Sequence, residues 1–300
     1  MKCPAMSGWI EMTSPSVIAA MLGVLSLLPT RPSALTSDRR AVVQEYPESA
    51  DLEKVRSLLR KARDYCDRLS RASLDFVCLE DITEKSESRW PRIRLSNALP
   101  WNRAEEHRYL YDYQFISKNG QRTEKRRLLE YDGVKEGGEL TNLITRSFDY
   151  RNVLFGAIDL LAESFQNLYR YHLKGRELLD GEDVCVIDAI PVSGVPEDIN
   201  QGRIWIREND ASVLKVLWNV QWMERLPDIQ KAAKRYKGQP EITAITEFKF
   251  EKNGVRFPSR FLIEEAYITT KGEKLFGSII SVVYRDYKFF TVEVERPVIK

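Results

Sequence analysis

Gly202-Arg203-Ile204-Trp205-Ile206-Arg207, the polar corner Glu208-Asn209-Asp210-Ala211, and the run from Ser212 to Trp222 form the stretch that decides the fold. The second arm alternates. Leu214, Val216, Trp218, Val220 and Trp222 take one parity, and Val213, Lys215, Leu217, Asn219 and Gln221 the other. A period of two over that length is a strand with one apolar face. The Asn-Asp corner is turn chemistry, so the stretch predicts a long antiparallel hairpin.

The same pattern recurs on both sides of it. Residues 107–117 place His107, Tyr109, Tyr111, Tyr113 and Phe115 on one face, an aromatic ladder, and Asn119-Gly120 closes a tight turn into 121–131. Asp132-Gly133, Asp180-Gly181, Asn253-Gly254 and Lys271-Gly272 mark further turns. Strands are expected at 168–179, 184–190, 241–251 (with Phe248 and Phe250 on one face), 257–269 and 278–290. Helical spacing appears at 49–70, through Leu52, Val55, Leu58, Leu59, Ala62, Tyr65, Cys66 and Leu69, and again at 152–165. Residues 84–103 read as an irregular, proline-marked excursion, and 223–238 as a helix or long loop. A meander this long must curl or close. The expected class is mainly β with flanking helices: a curved antiparallel sheet forming an incomplete barrel, with helices over its concave face. Such a face is filled by helices or by a ligand.

Composition narrows the function classes. The hydrophobic fraction of 43% is enough for a packed core, and 46 basic against 44 acidic residues leave a formal net charge of +2. That balance gives no electrostatic case for nucleic acid. The basic runs 122–127 and 231–237 read as a solvated strand edge and a solvated helix or loop face.

The N-terminus carries a compartment signal. Residues 17–28 are an apolar run, short for a membrane span and suited to the core of a secretory signal. Pro29, Pro32 and small residues follow, with a cut expected near Ala34. Residues 1–36 are therefore read as signal peptide and leader, and 37–300 as a single domain. The competing reading is a retained apolar helix. In an exported protein, Cys66 and Cys78, at the corner between the first helix and the first strand, are read as a disulfide. It would be worth about 3 kcal/mol in the chain-entropy model. Cys185 is left as a small buried hydrophobe, with an alternative pairing open.

The leading helix running into a first strand, the GxIWI strand Gly202 to Ile206 with its partner Leu214 to Trp222, and the stretch Phe248-Lys249-Phe250-Glu251-Lys252-Asn253-Gly254-Val255-Arg256-Phe257-Pro258 resemble the LolA/LolB/LppX superfamily, the outer-membrane lipoprotein carriers of the bacterial periplasm. The resemblance covers Leu52 to Val294 and is nearest to an exported branch with paired cysteines. It implies an open barrel whose apolar cavity takes acyl chains, and so a lipid or lipoprotein partner. No residue here is assigned to the carriers' functional arginine.

Catalytic signatures are missing. His107 and His172 are the two histidines, and HExxH, GxSxG and a phosphate-binding glycine loop do not occur. Glu264 and Glu265 are adjacent on a strand and leave opposite faces, as do Glu80 and Asp81. No catalytic residue, metal site or cofactor is expected. The expected function is a periplasmic or secreted, non-catalytic protein holding an acyl chain or similar apolar ligand, with a membrane-associated protein as a further partner. Cavity candidates are Tyr109, Tyr111, Tyr113 and Phe115 on one strand, Leu214, Val216, Trp218 and Val220 on another, and Phe248 and Phe250. The alternative is an exported interaction or structural module using the same sheet as a scaffold; an enzyme would need His107 or His172 beside a carboxylate in a cleft.

Overall fold

The computed structural model describes residues 10–11, 49–72, 75–87, 104–118, 121–138, 140–150, 153–196 and 199–290. The expected signal core at 17–28, its cut near Ala34, the Asn119-Gly120 turn and most of the 84–103 excursion lie outside the described residues. Ile10 and Glu11, inside the expected leader, pair with Tyr150 and Asp149 in a two-residue ladder.

Helix α1 (Ser49–Ala72) runs into strand β1 (Asp75–Glu87). Strands β2 (Ala104–Lys118), β3 (Gln121–Tyr131), β4 (Val134–Lys135) and β5 (Leu140–Thr141) follow, then helices α2 (Val153–Leu161) and α3 (Glu163–Gln166). Next come β6 (Tyr169–Leu179), β7 (Glu182–Pro191), β8 (Gly202–Arg207), β9 (Val213–Trp218), a 3-10 turn (Gln221–Arg225) and α4 (Pro227–Tyr236). Then follow β10 (Gly238–Glu247), the small hairpin β11 (Phe250–Lys252) and β12 (Val255–Phe257), β13 (Arg260–Thr269) and β14 (Lys274–Phe289). Among the described residues one antiparallel sheet runs β4-β3-β2-β1-β14-β13-β10-β9-β8-β7-β6, with β5 on β3. Its two ends do not pair, so the sheet is curved and open, as the turn pattern implied. The last strand, β14, is laid beside the first, β1, over most of its length.

Curvature has a local cause. The register shifts at Leu110/Tyr111, Leu173/Gly175, Trp205/Ile206, Glu265/Ala266 and Arg285/Lys288. An extra residue on one strand bends it and increases its twist. The turns behave as their sequences require: Asp180-Gly181 and Asn253-Gly254 both take positive φ at both positions, the primed turn that matches strand twist.

Helices cover one face of the sheet. Leu58, Ala62, Tyr65, Cys66 and Leu69 of α1 join Ala157, Ile158, Leu160 and Leu161 of α2, and Ile229 and Ala233 of α4, in one core with the inner face. α1 is held by Tyr65, whose hydroxyl accepts the Arg256 N–H at 3.1 Å. Arg256 and Arg207 both bond Glu182 at 2.7 Å, and Arg207 also bonds Asp210 at 2.6 Å. Burial raises the Asp210 pKa, but the Arg207 guanidinium and the Ser212 amide outweigh it and bring it to about 2. α4 starts on Pro227 and stops on Lys237 in the left-handed region.

Several expectations are corrected. The bulge at Trp205/Ile206 turns Leu214 to the outer face, with Trp205, Val184 and Val186, and puts Val213 on the inner face with Val216 and Trp218. The strand expected to reach Trp222 ends at Trp218. Leu52 is half exposed rather than part of the α1 core stripe. The helix expected over 152–165 breaks at Ala162, which is extended. There the Gln166 side-chain amide donates to the Leu161 carbonyl at 2.7 Å and to Leu59 of α1 at 3.2 Å. The strand expected over 241–251 leaves the sheet after Glu247, so Phe248 and Phe250 do not share one strand face.

The expected disulfide is absent: Cys66, Cys78 and Cys185 are free thiols. Cys66 is buried on α1 and Cys78 on β1, where Cys78 meets the Tyr287 hydroxyl. Burial pushes both thiols up, so both stay protonated and inert.

Two measurements check this packing. Under non-reducing denaturation a maleimide should label Cys66, Cys78 and Cys185, and reductant should leave the native protein's melting unchanged. A Cβ at Gly156 of α2 would lie 2.7 Å from Trp218 Cη2. Gly156→Ala should therefore lower stability by about 1 kcal/mol, the overpacking cost exceeding the gain in helix propensity. In a Trp218→Phe background the same change should become neutral or stabilising in urea titration.

Candidate functional site

The inner face of the sheet is the candidate site. Tyr109, Tyr111, Tyr113 and Phe115 all lie on it and are buried. Val216 and Trp218 share it, Val220 is buried just beyond, and Phe248 is buried beside the small hairpin. Phe250 is half-buried and stacks on Tyr287 with centroids 4.8 Å apart. Leu214 is excluded, being on the outer face. The residues do not form one patch. β2 and β9 are separated by β1, β14, β13 and β10, roughly 24 Å across a flat sheet. The tyrosine ladder sits at one end, and Trp218 sits under α2.

The tyrosine end is charged inside, which the sequence reading did not include. Glu80 and Glu84 of β1 are buried, and so is Arg126 of β3. Arg126 grips Glu80 with two bonds, Nε to Oε2 at 2.7 Å and Nη2 to Oε1 at 3.2 Å. Its guanidinium also lies over the Tyr113 and Tyr150 rings at 5.0 and 5.5 Å. Tyr150 donates to Glu80 at 3.2 Å, and Tyr113 to Glu124 at 2.7 Å. Burial works against the Arg126 charge, yet the Glu80 and Glu124 carboxylates hold its pKa well above the ordinary value. Burial, with Glu124 and Glu80 adding, pushes the Tyr113 hydroxyl up.

Residues 143–150 form a strap across this end. Leu143, Phe148 and Tyr150 enter the core. The strap's backbone is tied to side chains of the sheet: Ile144 N–H to the Tyr111 hydroxyl at 3.3 Å, Arg146 N–H to both Glu84 oxygens at 3.0 Å, and Ser147 N–H to Glu84 at 2.7 Å. The Tyr109 hydroxyl donates to Glu84 at 3.0 Å. The face read as a ligand cavity is thus filled at this end by the chain's own side chains. Open clefts among the described residues lie elsewhere. One of about 490 Å³ sits where β9 and β10 part, lined by Gln201, Arg203, Asn219, Glu224 and Ile242 among others.

A signal for the buried charges existed. Glu80 and Glu84 share strand parity with Phe76, Cys78 and Ile82, so the pair that matters is four residues apart rather than adjacent. Arg126 alternates with Lys125 and Arg127 inside the basic run, which places it inward while they face out.

His107 does meet a carboxylate: Nδ1 is 2.8 Å from Asp132 Oδ2 and 3.1 Å from the Tyr131 hydroxyl. His107 is on β2 and Asp132 at the β3–β4 turn, and neither lines the cleft where β9 and β10 part. His172 is exposed on the edge strand β6. Among the described residues no group of three or more His, Cys, Asp or Glu could hold a metal ion, and no helix is long and apolar enough to cross a membrane.

No family model and no curated protein matches the sequence. Among solved structures, the chain is similar to a candidate outer-membrane lipoprotein-sorting domain from Vibrio parahaemolyticus, at 11% identity and TM-score 0.41, covering 79% of this chain and 95% of that one. It is similar to a LolA superfamily protein from Nitrosomonas europaea at 15% identity and TM-score 0.33, covering 79% and 94%. It is also similar to the lipoprotein LppX of Mycobacterium tuberculosis at 11% identity and TM-score 0.24, covering 80% and 99%. At these scores no site transfers, and the functional reading rests on the inner face itself.

Arg126→Met should cost about 3–5 kcal/mol in urea unfolding, because Glu80 would be left buried without its cation. The double variant Glu80→Leu/Arg126→Met should lose far less, since no charge is stranded. Similar losses in the two would show that the pair is not the stabilising unit.

Proposed function

We propose that this chain is an exported, non-catalytic binding protein that holds a lipid acyl chain, or a similar apolar ligand, against the inner face of its open sheet. One observation carries the reading. A wide aromatic and aliphatic face is covered by separate pieces — α1, α2, the 143–150 strap and α4 — instead of by a second sheet. Pieces of that kind can shift while the sheet keeps its ladders. Each methylene a ligand buries there gains roughly 0.8 kcal/mol. The role is that of a lipid or lipoprotein carrier, with a membrane-associated protein as donor or acceptor. It operates in the periplasm or outside the cell after loss of a leader at 1–36, with 37–300 as one domain.

A second reading has its own observation. Tyr109, Tyr111, Tyr113 and Phe115 are already covered by the chain's own side chains. That favours an exported interaction or structural module in which the curved sheet is a scaffold with a permanent plug.

Native mass spectrometry on protein purified from its exporting cell, followed by organic extraction, separates them. The carrier reading expects a co-purifying lipid, and uptake of a fluorescent fatty-acid probe by the emptied protein. Protein that is empty and refuses the probe would replace it with the interaction module.

A further inference from the structure

We infer that Glu84 selects the ligand's head group, and that the ligand is a long apolar molecule whose head donates hydrogen bonds, such as a primary ammonium. The inference rests on the carrier reading and goes beyond it by naming the head chemistry.

The strap is the template. Residues 143–150 combine two things on the inner face: apolar side chains, Leu143 and Phe148, sunk in the core, and backbone N–H groups converging on one carboxylate. An apolar body with a donor head is the chemistry this end of the face already accepts. Glu84 is 1% exposed. Every group recorded on it is a neutral donor: Arg146 N–H, Ser147 N–H and the Tyr109 hydroxyl. Nearby guanidinium groups are occupied otherwise. Arg126 is bidentate on Glu80, and the Arg146 side chain pairs with Glu105 at 3.5 Å.

A ligand that takes the strap's place must therefore supply what the strap supplied. A buried carboxylate stripped of donors loses its solvation without compensation. A carboxylate or phosphate head would add like charge in a low-dielectric site. A head with several N–H or O–H groups restores the bonds, and a cationic one adds attraction. The proposed order of events is release of Arg146 and Ser147 from Glu84, entry of the tail along the ladder, and docking of the head on Glu84.

The test compares dodecylammonium with dodecanoate, both below micelle formation, by calorimetry on the full chain, with hydrogen exchange read at the Arg146 and Ser147 amides. Dodecylammonium should bind about tenfold more tightly or better, the scale of one favourable charge contact against one unfavourable. Both amides should lose protection when it binds. Glu84→Gln should abolish the preference while keeping affinity for the tail. Equal or tighter binding of dodecanoate overturns the inference and leaves the carrier reading standing. Amides that stay protected in the complex overturn it too, without recourse to any variant. A preference that persists in Glu84→Gln reflects general charge and also overturns it. Binding of neither amphiphile removes the carrier reading and the head-group inference together.

Discussion

An antiparallel sheet that curves without closing leaves an apolar face that its own strands cannot cover. That constraint governs the rest of the structure. The core here is not two sheets facing each other but one sheet facing a set of unlike pieces: a long helix before the first strand, two short helices and a strap between β5 and β6, and a turn and helix between β9 and β10. The pieces between β5 and β6 carry the chain from one edge of the sheet to the other, and those between β9 and β10 replace a tight turn between neighbouring strands. The cover is therefore made of connections, fastened by specific polar contacts: Tyr65 to the Arg256 backbone, Gln166 to Leu161 and Leu59, and Glu84 to the strap.

Openness also leaves two edges. β6 ends the sheet on one side with exposed Arg170, Lys174 and Arg176. β3 is capped on the other side by the short strands β4 and β5. Charge and short pairing strands both discourage further strand addition. The balanced composition of the chain thus hides a purposeful local distribution, with basic residues on an edge and a Glu-Arg pair inside.

Placing charges inside the apolar face has a structural consequence. Glu80 and Arg126 satisfy each other with two bonds, and Tyr150 closes the set. Among the described residues Glu84 has no such cation, and its donors are the Tyr109 hydroxyl and the strap's Arg146 and Ser147 N–H groups. The tyrosine ladder serves both needs, since each ring gives apolar wall and each hydroxyl a polar tip. This is why a row of Tyr109, Tyr111 and Tyr113, rather than phenylalanines, lines this end, and why Phe115, beyond the charges, packs on Phe76 with centroids 5.6 Å apart.

The sequence by itself determined most of the strands, the helix α1, the Asp-Gly and Asn-Gly turns at 180–181 and 253–254 and the open, helix-covered class, because period-two and helical spacing and such corners are local properties; it missed that β1 runs on through 84–87. It located Tyr109, Tyr111, Tyr113, Phe115, Val216 and Trp218 on a buried face for the same reason. Only the tertiary structure decided the rest. A bulge at Leu214, opposite Trp205 and Ile206, reversed its face, and no alternation count can see a bulge. The thiols of Cys66 and Cys78 proved unpaired although the helix and the strand bury both in one core. The pairing of Glu80 with Arg126, and of Glu84 with the backbone of residues 146 and 147, joins segments 46 and more than 60 residues apart. Such contacts depend on where β1, β3 and the strap meet in space, and nothing in their separate patterns records that meeting.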